Sequence, residues 1–496
     1  MTIDRWLEHW ADHRPYATAI EFADDSVTYR SLYDRVCVVA AGLRARGVGS
    51  GDRVAYLGGD GPTPVELLFA CARIGAIHLP LNTRLAAPEL SWIVGHAEPS
   101  LVLADVDHVG AAADMLADHS AIARAVVGES DDMDPFEVGH ATERSGADHD
   151  PVLMCYTSGT TGRPKGAVLD QIALMANAAN VAAMMDVRST DRVLNTMPLF
   201  HVGGLNVHTT PTLAAGGTIV LHRRFDPAAV LAELTGGRID LVTLLAPMLA
   251  AVTELEEFGH ADLSGVRAVN TGASPVPIGL IEAIHAKGVP VTQIYGLTET
   301  STLCVCLRAE QARERVGSCG KAALTCEVRL VDESGVDVAP GEDGEIVVRG
   351  PNVMREYWRD PEGTAAAFVD GWFRTGDVAV ADPHGFMYIR GRRKDLIISG
   401  GENIYPAELE DLLVGLPGVA EAVVVAQPDR RWGEVPVVVA VRAAGSDVTD
   451  AAVLAVFDGR VARYKAPKGV IWVDALPRTA MGKVRKHVLR DVLDER

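Results

Sequence analysis

The chain has 496 residues, of which 48% are hydrophobic and 23% charged, and its formal net charge is −20. This length exceeds one ordinary core, so two or more domains are expected, and the acidic balance disfavours nucleic acid or an anionic membrane as the main partner. No apolar run is long enough to span a bilayer, and the seven cysteines lack metal-ligand spacing; together these features predict a cytoplasmic protein with reduced thiols and no transmembrane segment.

Strands and helices alternate over the first part of the chain. Residues 27–32 predict a strand that passes, through a Thr or Ser cap, into a helix reaching Gly47. The next predicted elements are a strand at 54–57, a helix at 64–74 and a strand at 76–81. This alternation predicts a mostly parallel, doubly wound α/β sheet.

A segment rich in hydroxyl groups and glycine follows. It reads Tyr-Thr-Ser-Gly-Thr-Thr-Gly-Arg-Pro-Lys-Gly from Tyr156 to Gly166, between predicted strands at 152–155 and 167–169. Glycine lets backbone N–H groups approach a ligand, successive free N–H groups favour anions, and lysine supplies a point charge for phosphate. A Ser/Thr/Gly-rich linker is the alternative, which the flanking hydrophobic runs disfavour. The segment therefore predicts a phosphate cradle made by Thr157, Ser158, Gly159, Thr160, Thr161, Gly162 and Lys165.

This loop resembles the signature loop of the adenylate-forming (AMP-binding) superfamily, which includes acyl-CoA synthetases, stand-alone adenylation domains and luciferases. The resemblance covers almost the whole chain and is closest in appearance to bacterial fatty-acyl-CoA synthetases, through residues 400–408 and 432–434. It implies ATP, Mg²⁺ and CoA as cofactors, with the cradle on the ATP phosphates and Thr160 among the catalytic groups.

Residues 197–204, Met-Pro-Leu-Phe-His-Val-Gly-Gly, resemble the superfamily segment beside the acyl pocket. His201 is assigned substrate gating or contact, although a lone histidine is more often simply packed. A second carboxylate on the acid would need an arginine partner, and none lies in the expected lining, although Arg223 and Arg224 are not far along the chain. A fatty or aromatic acid is therefore expected. The residues implied to contact it are His201, Val202, Gly203, Asn206, Thr271 and Thr302.

Strands predicted at 218–221 and 241–245, with a helix between them, indicate a second half-repeat and hence two similar sheet layers. Two further strands end in polar turns at 270–275 and 295–300, which together resemble the adenine site of the superfamily. By that resemblance Tyr295 stacks on adenine, Thr298 reaches the phosphates and Glu299 holds Mg²⁺. A helix N-terminal charge is the alternative for Glu299. The other implied contacts are Gly272, Ala273, Ser274 and Gly296.

From Glu327 the pattern changes to short strands joined by turns, which predicts an antiparallel, barrel-like subdomain over 327–391. Within it, Asp377 resembles the ribose ligand, whose alternative is a turn aspartate. Arg392 resembles a second ribose and phosphate contact, and Lys394 falls at the hinge position, although a basic run can also be a solvated turn. The expected division is an N-terminal domain over 1–391 and a small, mobile α+β domain over 392–496.

The C-terminal segment predicts strands at 420–426, 435–441 and 469–473 and a helix at 450–463. Lys483, in the sequence Arg-Thr-Ala-Met-Gly-Lys, matches the catalytic lysine of the superfamily, whereas an isolated surface lysine is usually only solvated. Resemblance also implies that the pantetheine arm of CoA passes Ser399, Gly400, Gly401 and Trp432.

These parts imply an acyl-CoA synthetase that converts a carboxylic acid, ATP and CoA into acyl-CoA, AMP and pyrophosphate through an acyl-adenylate. The C-terminal domain would rotate about Lys394 between the two steps. One alternative is an adenylating enzyme that passes the acyl group to a carrier protein or an amine. A non-catalytic nucleotide-binding protein is the other, which the joint presence of Thr160, Glu299, Asp377, Arg392 and Lys483 disfavours. A homodimer is left open.

Overall fold

The computed structural model describes residues 1–127, 143–157, 164–273, 276–399, 402–429, 432–458, 460–461, 463, 465–479 and 482–494. The chain forms two compact units. The first contains 1–328 and 348–373, and the second contains 329–347 and 374–496.

A nine-stranded sheet forms one layer of the first unit. Its strands, numbered along the chain and given in spatial order, are β15 (Lys321–Ala322), β14 (Val305–Cys306), β13 (Val291–Tyr295), β12 (Ala268–Gly272), β11 (Leu241–Thr243), β9 (Arg192–Asn195), β10 (Thr218–Leu221), β1 (Thr18–Phe22) and β2 (Asp25–Thr28). The strands from β13 to β1 pair in parallel, and those at the two edges pair antiparallel.

A seven-stranded sheet forms the second layer of this unit. In spatial order it contains β18 (Glu356–Tyr357), β8 (Lys165–Asp170), β7 (Pro151–Thr157), β4 (Ile77–Pro80), β3 (Arg53–Leu57), β5 (Leu101–Asp105) and β6 (Ala123–Val127). The strands from β7 to β6 are parallel, whereas β8 and β18 join antiparallel. The prediction of two similar, doubly wound sheet layers is confirmed.

Helices connect the parallel strands, as the crossover connections of such sheets require. Thr28 caps the second helix, because its hydroxyl accepts a hydrogen bond from the Ser31 backbone N–H at 3.2 Å. The helices are α1 (Asp4–His13), α2 (Tyr29–Ala45), α3 (Pro62–Ile74), α4 (Ala87–Ala97), α5 (Val109–Met115), α6 (Gln171–Met185), α7 (Val202–Gly204), α8 (Thr210–Ala215), α9 (Pro227–Thr235), α10 (Ala246–Thr253), α11 (Ile278–Ala286), α12 (Pro361–Ala367), α13 (Pro406–Leu413), α14 (Asp450–Ala455) and α15 (Lys486–Asp494).

A third sheet contains the strands predicted between residues 327 and 391, and β19 and β21 pair antiparallel with β20 in it. It contains β16 (Glu327–Val331), β17 (Asp343–Arg349), β20 (Trp372–Ala381) and β19 (Phe368–Val369) in that order, with β21 (Met387–Arg392) beside β20.

The fourth sheet belongs to the second unit. Its strands are β23 (Glu402–Ile404), β22 (Ile397–Ser399), β25 (Gly433–Arg442) and β24 (Val419–Asp429), with β26 (Val470–Trp472) beside β25. Leu409 and Leu413 from α13 and Val453 from α14 are buried against this sheet and form its core.

The helix predicted at 450–463 is wrong in length, because α14 ends at Ala455. Phe457 follows within a turn, is almost completely buried and packs into the core of the second unit. The division into units also groups residues 374–391 with the C-terminal residues, whereas the sequence assigned them to the larger domain. The hinge at Lys394 stays a prediction. Among the residues that the structure describes, no helix is both long and apolar enough to cross a membrane.

Candidate active site

The predicted phosphate cradle connects the two strands of a β-hairpin. Strands β7 and β8 pair antiparallel as far as Thr157 and Lys165, which lie opposite each other. The hairpin therefore brings both ends of the cradle together. The cradle residues between them, Ser158, Gly159, Thr160, Thr161 and Gly162, lie outside the described residues, so their roles stay predictions.

Glu299 lies beside one end of this hairpin. Its side chain is 8% exposed and sits on a short 3₁₀ turn, Thr298–Thr300, that follows β13. The Tyr357 hydroxyl donates to Glu299 Oε1 at 2.9 Å, and the Thr157 hydroxyl donates to the same oxygen at 3.4 Å. A carboxylate and two hydroxyl oxygens are hard donors, and Mg²⁺ takes its remaining ligands from phosphates and water. The residues present therefore fit the ion.

Lys165 lies opposite Thr157, at the same end of the hairpin. Its Nζ lies 2.8 Å from Asp360 Oδ2 and 4.8 Å from the centre of the Tyr357 ring. The hydrogen bond from Lys165 holds the pKa of the Asp360 carboxyl below its ordinary value. Asp360 also caps α12, because it accepts a hydrogen bond from the Gly363 backbone N–H at 2.8 Å. The ammonium group is thus fixed in place, which suits it to a phosphate ligand.

Sequence reasoning missed Tyr357 and Asp360. Asp360 precedes Pro361, and Asp followed by Pro is a common start of a helix, so the cap could have been found. The position of Tyr357 beside Glu299 depends on the pairing of β18 with β8, where Tyr357 lies opposite Ala167. A two-residue strand gives no periodic signal of its own.

The expected adenine segments lie on adjacent parallel strands. Gly272 at the end of β12 lies opposite Ile294 on β13, and a Cβ at Gly272 would stand 2.5 Å from the Ile294 carbonyl oxygen. Tyr295 ends β13 and is half-buried. Ala273 is exposed and has a φ of 65°. The structure thus brings the two predicted turns to one sheet edge, where carboxyl ends of parallel strands form ligand sites, while Ser274 lies outside the described residues.

A tight loop follows Tyr295. A Cβ at Gly296 would lie 1.6 Å from the Thr302 carbonyl oxygen, so only glycine fits there. Thr302 has a φ of 115°, which is unusual for a β-branched residue and marks local backbone strain. Its hydroxyl donates to the Val202 carbonyl oxygen at 3.2 Å. The loop therefore contacts the segment expected to line the acyl pocket.

That segment begins at His201. Its Nδ1 accepts a hydrogen bond from the Gly203 backbone N–H at 3.1 Å, so the imidazole caps α7. A π-helical turn, Leu205–Thr209, follows, and such turns are frequent at functional sites. Asn206 and Thr271 are completely buried. The structure brings Val202 and Thr302 together as expected, while the contact of any of these residues with an acid stays a prediction.

In the second unit, the two residues expected at ribose form an ion pair. Asp377 on β20 lies opposite Arg392 on β21, and Arg392 Nε is 3.0 Å from Asp377 Oδ1. The Asp377 side chain is largely buried. Pairing of a hairpin thus places a carboxylate acceptor next to a guanidinium donor.

Lys483 lies in a small, exposed turn. Its carbonyl oxygen accepts a hydrogen bond from the Thr479 backbone N–H at 2.7 Å, and its own N–H donates to the Thr479 hydroxyl at 3.2 Å. Gly482 has a φ of 79°, which favours glycine before the lysine. The lysine is therefore presented on a turn that two hydrogen bonds define.

The predicted CoA segment lies on the fourth sheet. Ser399 is buried and pairs with Gly433, and Trp432 is 45% exposed. Lys394 lies in a short 3₁₀ turn, Arg393–Asp395. Gly400 and Gly401 lie outside the described residues.

Comparison with known proteins identifies the family. Residues 7–358 match the AMP-binding enzyme family, and residues 408–483 match the AMP-binding enzyme C-terminal domain. The chain therefore belongs to the AMP-binding enzymes.

Individual relatives match over nearly the whole chain. An indoleacetate–CoA ligase of Aromatoleum aromaticum is 44% identical over 509 residues, covering 99% of this chain and 98% of the relative. A feruloyl-CoA synthase of an Amycolatopsis species is 42% identical and covers 98% of each chain. The o-succinylbenzoate CoA synthetase MenE of Bacillus subtilis, solved with ATP and magnesium, superimposes with a TM-score of 0.87 at 32% identity and covers 99% of each chain. The same enzyme, solved with its acyl-adenylate intermediate, gives a TM-score of 0.89 and covers 98% of each chain.

The expected activity and cofactors agree with these relatives. The protein is an AMP-forming acid–thiol ligase, which makes acyl-CoA through an acyl-adenylate with ATP, Mg²⁺ and CoA. The prediction of a large N-terminal domain and a small C-terminal domain of this fold is confirmed.

Proposed function

We propose that this ligase acts on an aromatic carboxylic acid. Indoleacetate and ferulate appear in the names of two relatives that match the chain over almost its full length. The observation that carries the proposal is the make-up of the expected lining: Val202, Gly203, Asn206, Thr271 and Thr302 carry no charge, and Thr302 contacts Val202. An uncharged lining favours an apolar or weakly polar acid.

In the first step, the acid carboxylate attacks the α-phosphorus of ATP and pyrophosphate leaves. Both reactants are anions, so the barrier is largely electrostatic. We assign charge neutralisation to Lys165 and Lys483, orientation of the metal to Glu299, and the ribose hydroxyls to Asp377. Glu299 would hold Mg²⁺, which would supply positive charge that offsets the charge of the phosphates.

In the second step, the CoA thiolate attacks the acyl carbonyl and AMP leaves. We assign the path of the pantetheine arm to Ser399 on β22 and to Trp432, which directly precedes β25. Lys483 serves only the first step in this scheme, so the C-terminal residues that follow Lys394 have to change their position between steps, with Lys394 as the hinge.

A panel of acids tests the substrate proposal. Purified protein with Mg²⁺, ATP and CoA is offered indole-3-acetate, ferulate and saturated fatty acids of several lengths, and pyrophosphate release and thioester formation are followed. We expect kcat/KM for the best aromatic acid to exceed that of the best fatty acid by about tenfold or more, since pocket shape discriminates at this level. A fatty acid that outperforms every aromatic acid would contradict the proposal.

We also propose a cytoplasmic location. All seven cysteines are free and buried, as in proteins of reducing compartments. The homodimer stays a prediction, which sedimentation of the purified protein tests.

A further inference from the structure

Two side chains of opposite charge are neighbours at the end of the β7–β8 hairpin, yet each is bound to a different partner. The Glu299 carboxylate accepts hydrogen bonds from the hydroxyls of Tyr357 and Thr157. The Lys165 ammonium instead pairs with Asp360, where Nζ lies 2.8 Å from Oδ2. A second carboxylate therefore holds the lysine, while the carboxylate assigned to the metal is bound only by hydroxyls in these contacts.

The contacts of Tyr357 and Thr157 show how near Lys165 is to Glu299. Thr157 donates to Glu299 Oε1 at 3.4 Å and lies directly opposite Lys165 in the hairpin, and side chains at such positions are neighbours. Tyr357 contacts both groups, because its ring centre is 4.8 Å from Lys165 Nζ and its hydroxyl donates to Glu299 Oε1 at 2.9 Å. Since lysine carries its charge on a flexible four-carbon stem, rotation of that stem can carry the ammonium towards Glu299.

The Asp360 carboxylate, in contrast, is held in place by the backbone around it. Its Oδ1 accepts a hydrogen bond from the Gly363 backbone N–H at 2.8 Å, at the start of α12. The Asp360 carbonyl oxygen accepts another from the Thr364 hydroxyl at 2.8 Å, and the same hydroxyl oxygen accepts one from the Tyr357 backbone N–H at 2.9 Å. Asp360 is thus a fixed anchor for a flexible cation.

An ammonium group that reached Glu299 would compete with a metal ion. Both are attracted to a carboxylate, and the attraction between charges is stronger where water is excluded. The Glu299 side chain is only 8% exposed. A pair between Lys165 and Glu299 would therefore occupy the carboxylate and also withdraw the lysine from the phosphates.

We propose that Asp360 is a positioning residue, which keeps the Lys165 ammonium away from Glu299 so that the Glu299 carboxylate stays open to the metal. The inference rests on the assignment of Glu299 to the metal, which belongs to the proposed function. Asp360 itself touches neither ATP nor the acid in this scheme.

Binding of ATP in the absence of any acid tests the proposal. Titration calorimetry gives Kd for ATP with Mg²⁺ and for ATP with EDTA, and the ratio of the two values measures the preference for the metal complex. Asp360→Asn removes the charge but keeps a residue that caps helices equally well. We expect the preference for Mg²⁺ to fall about tenfold in this variant, the equivalent of one charge-assisted contact.

Removal of the lysine should restore the preference. In Asp360→Asn/Lys165→Met no ammonium can occupy Glu299, so the ratio should return to within about twofold of wild type, although both forms of ATP bind more weakly. A purely structural role of Asp360 predicts no such rescue, because a substitution on β8 does not repair α12. Glu362→Gln is the control and should match wild type, since it removes the same charge from an exposed residue in the first turn of α12.

The inference is overturned if Asp360→Asn keeps the wild-type ratio, or if the double variant does not recover it. A rise in both affinities at an unchanged ratio would mean that Asp360 only competes with phosphate for Lys165, and it overturns the inference too. Failure of the metal assignment looks different, because Glu299→Gln would then also keep the wild-type ratio. Should Asp360→Asn fail to fold, as judged by thermal unfolding, Asp360→Ser gives the same readouts, since serine also caps helices.

Discussion

At the scale of single residues, Glu299 is held by a partner that lies 58 positions away in sequence. We expect Tyr357→Phe to weaken adenylate formation, because the carboxylate loses the hydroxyl that orients it toward the metal. A hydrogen bond to a charged group contributes about 1.5–3 kcal/mol, so the Mg²⁺ concentration for half-maximal pyrophosphate release should rise about tenfold. Tyr16→Phe, at a side chain that is 88% exposed, serves as the control. If Tyr357→Phe needed the same Mg²⁺ concentration as wild type, Tyr357 would have no role in metal binding.

Substitution of Lys483 should impair adenylate formation but not thioester formation. Lys483→Ala is expected to reduce ATP-dependent pyrophosphate release by about a hundredfold or more, since it removes a charge aimed at the developing negative charge. Formation of thioester from supplied acyl-adenylate should be nearly unaffected. Arg485→Ala, at an exposed cation two positions away, is the matched control. Equal loss in both half-reactions would mean that Lys483 has another role.

His78 links stability to pH. It is completely buried on β4, neither ring nitrogen has a hydrogen-bond partner among the described residues, and burial lowers its pKa to about 3. The unfolded value is near 6.5, so the contribution of the neutral ring to stability is complete above about pH 6.5 and is lost as the pH falls toward 3.

We therefore expect His78→Leu to remove part of the acid sensitivity. Between pH 6.5 and pH 5, wild type should lose about 2 kcal/mol of unfolding free energy through this group, and the variant should not. Urea unfolding at the two pH values measures the difference, with His384→Leu as the exposed control. Parallel losses in wild type and His78→Leu would show that the ring protonates without cost.

At the scale of elements, the loop from Gly296 to Thr302 accommodates only glycine at position 296. Gly296→Ala places a methyl group against the Thr302 carbonyl oxygen, which should cost about 2–3 kcal/mol of stability and most of the adenylation activity. Gly279→Ala is the control, because it lies on α11 with no atom within 4 Å of the added Cβ, and alanine should stabilise that helix by about 0.5–1 kcal/mol. Thermal unfolding and pyrophosphate release are measured for both variants and for wild type. A Gly296→Ala enzyme with full activity would show that the loop can rearrange freely.

The strands and turns differ in how well the sequence alone predicts them. Alternating patterns predict both sheets, because period and order are local properties of the chain. Glu299 and the Asp377–Arg392 pair could be identified from motifs. Tyr357 could not, since its position depends on how a two-residue strand pairs with β8. A pocket lined by Arg84, Arg223 and Arg224 was missed for the same reason, because these cations follow two strands, β4 and β10, that come together only in the folded chain.

At the scale of the whole molecule, the proposed alternation between two steps depends on backbone freedom at Lys394. Proline fixes φ and restricts the residue before it, so Lys394→Pro should leave pyrophosphate release within about threefold of wild type. Thioester formation should fall by about a hundredfold, as expected when a required domain motion is blocked. Lys394→Ala keeps the backbone free and should support both steps. Normal thioester production by Lys394→Pro would place the pivot elsewhere.

The second compact unit is discontinuous along the chain, because residues 329–347 join residues 374–496 while 348–373 return to the first unit. A hybrid enzyme made by grafting the C-terminal part of a relative at a single junction near residue 391 would therefore combine foreign β22–β26 with native β17 and β20. Glu345 on β17 accepts hydrogen bonds from the side chains of Arg374 and Arg393. In the hybrid, Arg374 would be native, whereas the residue at position 393 would come from the relative. Such a graft therefore needs three junctions, before residue 329, after residue 347 and before residue 374, so that 329–347 and 374–496 come from the same parent.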